Sequence, residues 1–415
     1  MSEIQAGAHR FQANQYFDDP LPAQLWLARA RADAGYAVCH CVQPGRRLVI
    51  REVQKILYLA VWPNDGPFHD IDCEFHRDTT SDVAKGTDKP LGPVETDGSV
   101  KQQKPAAVVT GDGNWDIKLD WPRRDSPPLS TERKARNDSE GATSSRSERK
   151  SFALSEFLSW MWESTSMVRW GKGWRRDWWR VARSIRTEAE AIRIDGKALN
   201  EMLYVPPPFR RDLESVIHAE WERFADPLHS NDKFEQKPVG LILAEIKVVD
   251  KTDYGFRLMA RNMAKPIYVD TMVYAAMAKQ SPLALALLPK RKQLECSVVA
   301  LLMVEGTGKG NIRTIGVALM LVNSQFIPVS TIYELELANR LCAQDRTFTR
   351  GVGKSQGADF VLRDTVPPTA MIIYSLVSPD YVKQRDALAK QCLEAGCTIW
   401  KWYPAAAEEV PMIPR

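Results

Sequence analysis

The residues best placed to do chemistry are Cys39-His40-Cys41 and, further along, His69-Asp-Ile-Asp-Cys73. A Cys-x-Cys pair facing a His-x3-Cys pair gathers four soft or borderline ligands at one point, the donor set that tetrahedral zinc takes. With every position filled by protein, such a site is closed and therefore structural rather than hydrolytic. His40 and His76 are spare nitrogens, and on spacing alone either could replace His69. The competing reading is three buried cysteines beside an unrelated surface histidine. Cys296, Cys342, Cys392 and Cys397 lie in apolar or helical contexts and read as small buried hydrophobes.

A second constellation is basic and aromatic. Between Ser166 and Arg186 the chain carries Arg169, Lys172, Arg175, Arg176, Arg180, Arg183 and Arg186 against Asp177 alone. Cations interleaved with flat rings suit a phosphate backbone with exposed bases. Arg169, Lys172, Trp174, Arg175, Arg176, Arg180 and Arg183 are therefore the candidate nucleic-acid contacts. Gly171 and Gly173, set between two expected helices, suit a helix-turn-helix. The same pattern would equally serve a small tryptophan core whose outer face is solvated by arginine.

Two further sets of residues could bind Mg²⁺. Glu245-Ile-Lys247 has the spacing of a metal-dependent nuclease. On a strand both side chains share one face, where the acid could hold the ion and the lysine could stabilise developing phosphate charge. The tripeptide is common, and a solvated pair on an apolar strand explains it as well. Residues 331–415 read as helix, strand (359–362), strand (370–376), helix (379–395) and strand (397–402), and resemble a restriction-endonuclease-like core. That resemblance implies metal-binding positions at Glu334 and Asp359. Where its pattern carries Glu-x-Lys, this chain has Ile373 and Ser375, so a degenerate, inactive relative is expected. Gly306-Thr-Gly-Lys-Gly310 and Gly351-Val-Gly-Lys-Ser355 lack the Walker spacing and are not ATP sites.

Positioning these groups takes more than one folding unit. At about 150 residues per domain, the 415 residues suggest two or three. Apolar residues make up 44%, charged residues 26%, and net charge is +4, which excludes a wholly disordered, collagenous or disulfide-dense chain. No apolar run approaches the roughly 18 residues of a membrane span. The polar N-terminus lacks a signal peptide's apolar core, so a cytoplasmic protein without a membrane partner is expected. The expected class is α+β with α/β parts. It comprises a zinc-stapled β-hairpin unit (1–77), a disordered linker (78–150), a basic helical unit (151–235), a strand-rich unit (236–330) and an α/β unit (331–415). The linker expectation rests on 123–150, where Leu129 is the single large aliphatic residue.

The run AVCHCVQPGRRLVIREVQKILYLAVWPNDGPFHDIDC resembles the bacterial domain-of-unknown-function family 1173. So do LSEFLSWMWESTSMVRW, ALNEMLYVPPPF, GLILAEIKVVDKTDYGFRLMARNM and ADFVLRDTVPPTAMII. The resemblance implies the metal site and a setting among genes of plasmids and integrative conjugative elements, and it implies no reaction. Residues 78–150 look longer than the family usually has there. The expectation is a structural-zinc accessory protein associated with DNA and, in that setting, with conjugation proteins. The alternatives are a Mg²⁺-dependent nuclease and a protein-interaction scaffold in conjugation.

Overall fold

The computed structural model describes residues 2–53, 56–62, 65–77, 106–110, 114–121, 151–229, 238–307, 310–351, 357–406 and 409–415. Alternating apolar positions fold the first part of the chain into an antiparallel sheet. Its strands are β1 (Glu3–Ala6), β2 (His9–Gln12), β3 (Tyr36–Cys39), β4 (Arg46–Val53) and β5 (Ile56–Val61), in the order β2-β1-β3-β4-β5. Helix Gln24–Asp33 covers it, with Leu27 and Ala30 buried beside Ile4, Leu48 and Ile50. The expected β4–β5 hairpin forms, with Leu48 opposite Val61 and Ile50 opposite Leu59.

The stretch expected to be a linker contains two strands, β6 (Ala107–Val109) and β7 (Trp115–Ile117). Trp115, Ile117 and Leu119 are buried with Phe157 and Trp160, so these few apolar residues gain a core that the polar average of 78–150 concealed. Of 78–150, only 106–110 and 114–121 are among the described residues. Helix Leu154–Ser164 follows, then β8 (Arg169–Trp170), helix Trp178–Ala189, β9 (Ile192–Ile194) and β10 (Lys197–Ala198). The second sheet runs β10-β9-β7-β6, with β7 and β9 parallel. No helix-turn-helix joins the two helices: the chain between them extends into β8 and joins another sheet.

The third sheet closes on itself. After β11 (Leu203–Tyr204) come helix Glu214–His229, β12 (Gly240–Thr252), β13 (Gly255–Ala260), β14 (Ile267–Val269), β15 (Cys296–Gly306) and β16 (Ile312–Asn323). The pairing runs β12-β13-β14-β16-β15 and back to β12, a small five-stranded barrel with β11 added along β12. Closure depends on β12, whose first half pairs with β15 and second half with β13, turning at a bulge between Ile246 and Val248. Alternate residues of β12 serve two cores. Ile242, Ala244 and Ile246 face one, while Leu241 and Leu243 face another that includes Phe157, Trp162 and Trp178.

The last sheet, β20-β19-β18-β17-β8, adds β17 (Phe348–Arg350), β18 (Phe360–Leu362), β19 (Thr369–Ile373) and β20 (Thr398–Trp402). Helix Ile332–Ala343 precedes an antiparallel β17-β18-β19 meander, and helix Pro379–Glu394 crosses over to bring β20 parallel to β19. Strand β17 escapes the sequence reading because three residues ending in a charged arginine carry little periodicity. Two expected unit boundaries are bridged by backbone pairing: β8 joins β17, and β11 joins β12.

Trp162 links these layers. Its side chain is fully buried, and its indole N–H donates to the carbonyl of Phe326 at 3.0 Å. Trp162→Ala should lower unfolding stability by about 3–5 kcal/mol, through a cavity and an unsatisfied carbonyl. Denaturant titration with an unchanged m-value checks it.

Candidate metal centre

Cys39 ends β3, and Cys41 follows it out of the sheet. The other pair lies on a loop shaped by local turn chemistry. Pro67 starts a single 3-10 turn over Gly66–Phe68, and Asp70 accepts the Asp72 N–H at 2.9 Å in an Asx turn. Cys73 N–H bonds to the Asp70 carbonyl at 2.9 Å and His76 N–H to the Cys73 carbonyl at 3.0 Å. Gly66 is required there, since a Cβ would stand 2.5 Å from the Arg77 Cβ.

The two pairs converge. One ligand atom from each of Cys39, Cys41, His69 and Cys73 lies within 4.8 Å of the others. Cys39 Sγ is 3.6 Å from Cys73 Sγ, and His69 Nδ1 is 3.3 Å from Cys41 Sγ and 3.7 Å from Cys73 Sγ. A tetrahedral ion with bonds of about 2.3 Å to sulfur and about 2.0 Å to nitrogen needs edges of about 3.8 Å between sulfurs and about 3.5 Å from sulfur to nitrogen. The cluster thus has the dimensions to hold a metal ion. Hydrogen bonds from Cys39 and Cys73, with those of His69 and the Asp70 N–H, draw the Cys41 thiol down into the thiolate range. The bonds to Cys41 and Cys73, then burial, push Cys39 up. For Cys73 the bond with Cys39 lowers the value, but the bond with Cys41 and burial outweigh it and raise it to about 12. A divalent cation among them would hold all three as thiolates.

The open choice of histidine is resolved by geometry. His40 Nε2 lies 2.9 Å from Gln5 Oε1, away from the sulfurs. His76 is buried and its Nδ1 bonds to the His69 carbonyl at 2.8 Å, which positions the ligand's backbone.

The basic segment does something else than the sequence suggested. Arg169, Arg176 and Arg183 are buried and donate to backbone carbonyls. Arg169 reaches those of His76 at 2.9 Å and Ile71 at 2.5 Å. Arg176 takes Met167 and Arg169, both at 2.8 Å, and Arg183 takes Phe17 at 2.8 Å. Arg180 pairs with Glu74 at 3.4 Å. Trp174 is half-buried, edge-on to Trp170, with the Arg176 guanidinium over both rings. Arg169, Arg176 and Arg183 are thus turned to the interior, Arg180 and Trp174 are partly buried, and Lys172 and Arg175 are the exposed residues of the expected nucleic-acid contacts. The overlooked signal is the stripe Arg180, Arg183, Thr187 at i, i+3, i+7, beside the apolar face of the same helix.

The candidate catalytic acids are likewise occupied. Glu245 is buried, accepts from the Ser297 hydroxyl at 2.8 Å and pairs with Arg261 at 3.4 Å. Lys247 is exposed beside the β12 bulge. Glu334 accepts from the Ser330 N–H at 2.6 Å and from Arg350 at 2.7 Å, at a helix start capped by Thr331. Asp359 accepts from the Ile373 N–H at 2.8 Å and pairs with Arg385. Burial pushes the Asp359 carboxyl above its ordinary value, and the Arg385 guanidinium offsets only part of that rise. Ser375 bonds to the Tyr381 hydroxyl at 2.9 Å. Two carboxylates each matched by a guanidinium leave no net negative charge for Mg²⁺, which needs anionic oxygens. Among the described residues no helix is long and apolar enough to cross a membrane.

Comparison with known proteins finds one family model, described as a protein of unknown function (DUF1173), that matches residues 17–405. No curated protein and no solved structure matches.

The Arg350–Glu334 pair, with side chains 5% and 8% exposed, is open to a direct test. Arg350→Met should destabilise the fold by about 3–5 kcal/mol, since it strands a buried carboxylate. Adding Glu334→Gln, which keeps the cap acceptor but removes the charge, should recover a large part of the loss in chemical denaturation.

Proposed function

Since the chain belongs to the DUF1173 family of proteins of unknown function, whose description names no reaction, we propose a role from the site itself: a zinc-stapled accessory protein that acts by binding and not by turnover. The observation that carries this reading is the closed Cys39, Cys41, His69 and Cys73 cluster, whose four ligand atoms all come from protein. Three sulfurs and one imidazole suit zinc over Mg²⁺ or Ca²⁺, which take oxygen. Zinc bound there would crosslink the end of β3 to the loop after β5. A five-stranded sheet covered by helices Ala13–Asp18 and Gln24–Asp33 is a small unit, and such units gain folding energy from a bound metal. Thiolate ligands suit a reducing compartment, here the cytoplasm.

The family resemblance, with its setting among plasmids and integrative conjugative elements, makes nucleic acid the partner class we favour. Lys172 and Arg175 are the exposed cations of the basic segment that could meet phosphate. Their supply is small, so any DNA contact made there should be weak, with a salt slope of only about 0.9 per phosphate contact. The scaffold alternative predicts no such salt dependence.

Elemental analysis of protein purified in reductant should find one zinc per chain. Cys41→Ser should lose most of it, and acidification should release it as the ligands take up protons. Full metal retention by Cys41→Ser would sink the assignment. In a salt titration of duplex binding, Lys172→Ala with Arg175→Ala should flatten the slope by about two units at most, each phosphate-contacting cation adding about one. An unchanged slope would shift the reading to a protein partner.

A further inference from the structure

The loop that supplies His69 and Cys73 also carries the contacts by which the first sheet meets the rest of the chain. Between the two ligands, the Ile71 carbonyl accepts from Arg169, and Asp72 Oδ1 accepts from the Thr347 hydroxyl at 2.8 Å. Immediately after Cys73, Glu74 pairs with Arg180 at 3.4 Å. The His76 carbonyl then accepts from Arg169 at 2.9 Å. The donors come from three separate places: β8, helix Trp178–Ala189 and the residue before β17. All are well buried: Arg169 and Thr347 are 4% exposed, and the Arg180 side chain is 11% exposed.

A hydrogen bond fails once its acceptor moves by a few tenths of an ångström beyond contact or swings out of line. The carbonyls of Ile71 and His76 sit two and three residues from a ligand, so their positions follow those of His69 and Cys73. Conversely, Arg169 and Thr347 hold the loop in the shape that brings Nδ1 and Sγ to the cluster. We propose that the metal centre is a clamp: binding of the ion, and docking of the first sheet on Arg169, Arg180 and Thr347, form one coupled equilibrium. Metal loss therefore opens this interface and frees the arginine stripe beneath it. The inference rests on the zinc reading above and adds to it a direction of control.

Coupling of this kind is reciprocal: whatever factor the ion contributes to docking, docking contributes to ion affinity. Residues that touch no ligand atom should then change metal binding. Arg180→Gln and Thr347→Val in the full-length protein are the test, with zinc affinity measured by competition against a chromophoric chelator in reducing buffer. Each should bind zinc about 5-fold or more weakly, the lower range of such couplings. In the wild type, removing zinc should raise amide hydrogen exchange both in residues 69–77 and in helix Trp178–Ala189.

Unchanged affinity in both variants, with circular dichroism as in the wild type, overturns the clamp and leaves the zinc reading standing. If either variant fails to fold, the wild-type exchange measurement decides. Exchange that rises in 69–77 alone overturns the clamp. Absence of zinc from the wild type overturns the zinc reading itself.

Discussion

A guanidinium taken out of water brings five N–H donors with it, and each must find an acceptor or cost the fold a desolvated group. Among the described residues four arginines, Arg169, Arg176, Arg183 and Arg350, are nearly removed from solvent, and their acceptors tie the sheets to one another. Arg169 and Arg183 reach from the middle of the chain to carbonyls of the N-terminal part, at His76, Ile71, Phe17 and Tyr16. Arg176 holds the turn that sets up β8. Arg350 binds Glu334 and the Asp359 carbonyl, tying a helix to the sheet that β8 joins. Backbone carbonyls left free at turns and strand ends are the acceptors a planar five-donor fork can use, and lysine could not span them in the same way.

The barrel obeys a different constraint. Strands β12 and β15 are apolar on both sides because both sides are covered, one by the core shared with the last sheet and the other by helix Leu154–Ser164 and Trp178. A charged side chain on such a strand has to be neutralised in place. Glu245 is, by Ser297 and Arg261, and it sits where β12 passes from one partner strand to the other. An acid can therefore stand beside a lysine in a nuclease-like spacing while its carboxylate is consumed by the sheet. Glu334 and Asp359 repeat the pattern: one accepts from the Ser330 N–H just before a helix, the other fixes the start of β18 against β19. Carboxylates satisfied by backbone N–H groups and guanidiniums are held too firmly, and too nearly neutral, to gather a hard divalent ion.

Around the cysteines the electrostatics run the other way. Three thiols and an imidazole brought to one point leave most sulfur sites facing one another and not a strong protein donor. Hydrogen bonds among the thiols draw the Cys41 value down and push those of Cys39 and Cys73 up. That is an arrangement a cation would complete, whereas the acid clusters of the second half already contain their countercharges.

What the amino-acid order determined by itself was whatever depended on short spacing. The ligand quartet was readable because two ligands on a turn and two beside a strand end fix each pair locally, and a hairpin return brought them together. The β4–β5 hairpin, the long strands of the barrel and helix Pro379–Glu394 were legible from periodicity for the same reason. The choice of His69 over His40 and His76 was not, since it turns on Gln5 and on the backbone carbonyl that His76 meets across the loop. Strands β7, β8 and β17, two or three residues each, carry no period of their own and exist because distant partners complete their hydrogen bonds. Whether Arg169, Arg176 and Arg183 face water or the interior was decided by tertiary structure alone. An arginine with free carbonyls within reach is worth burying and one without them is not, and those carbonyls lie up to 167 residues away along the chain.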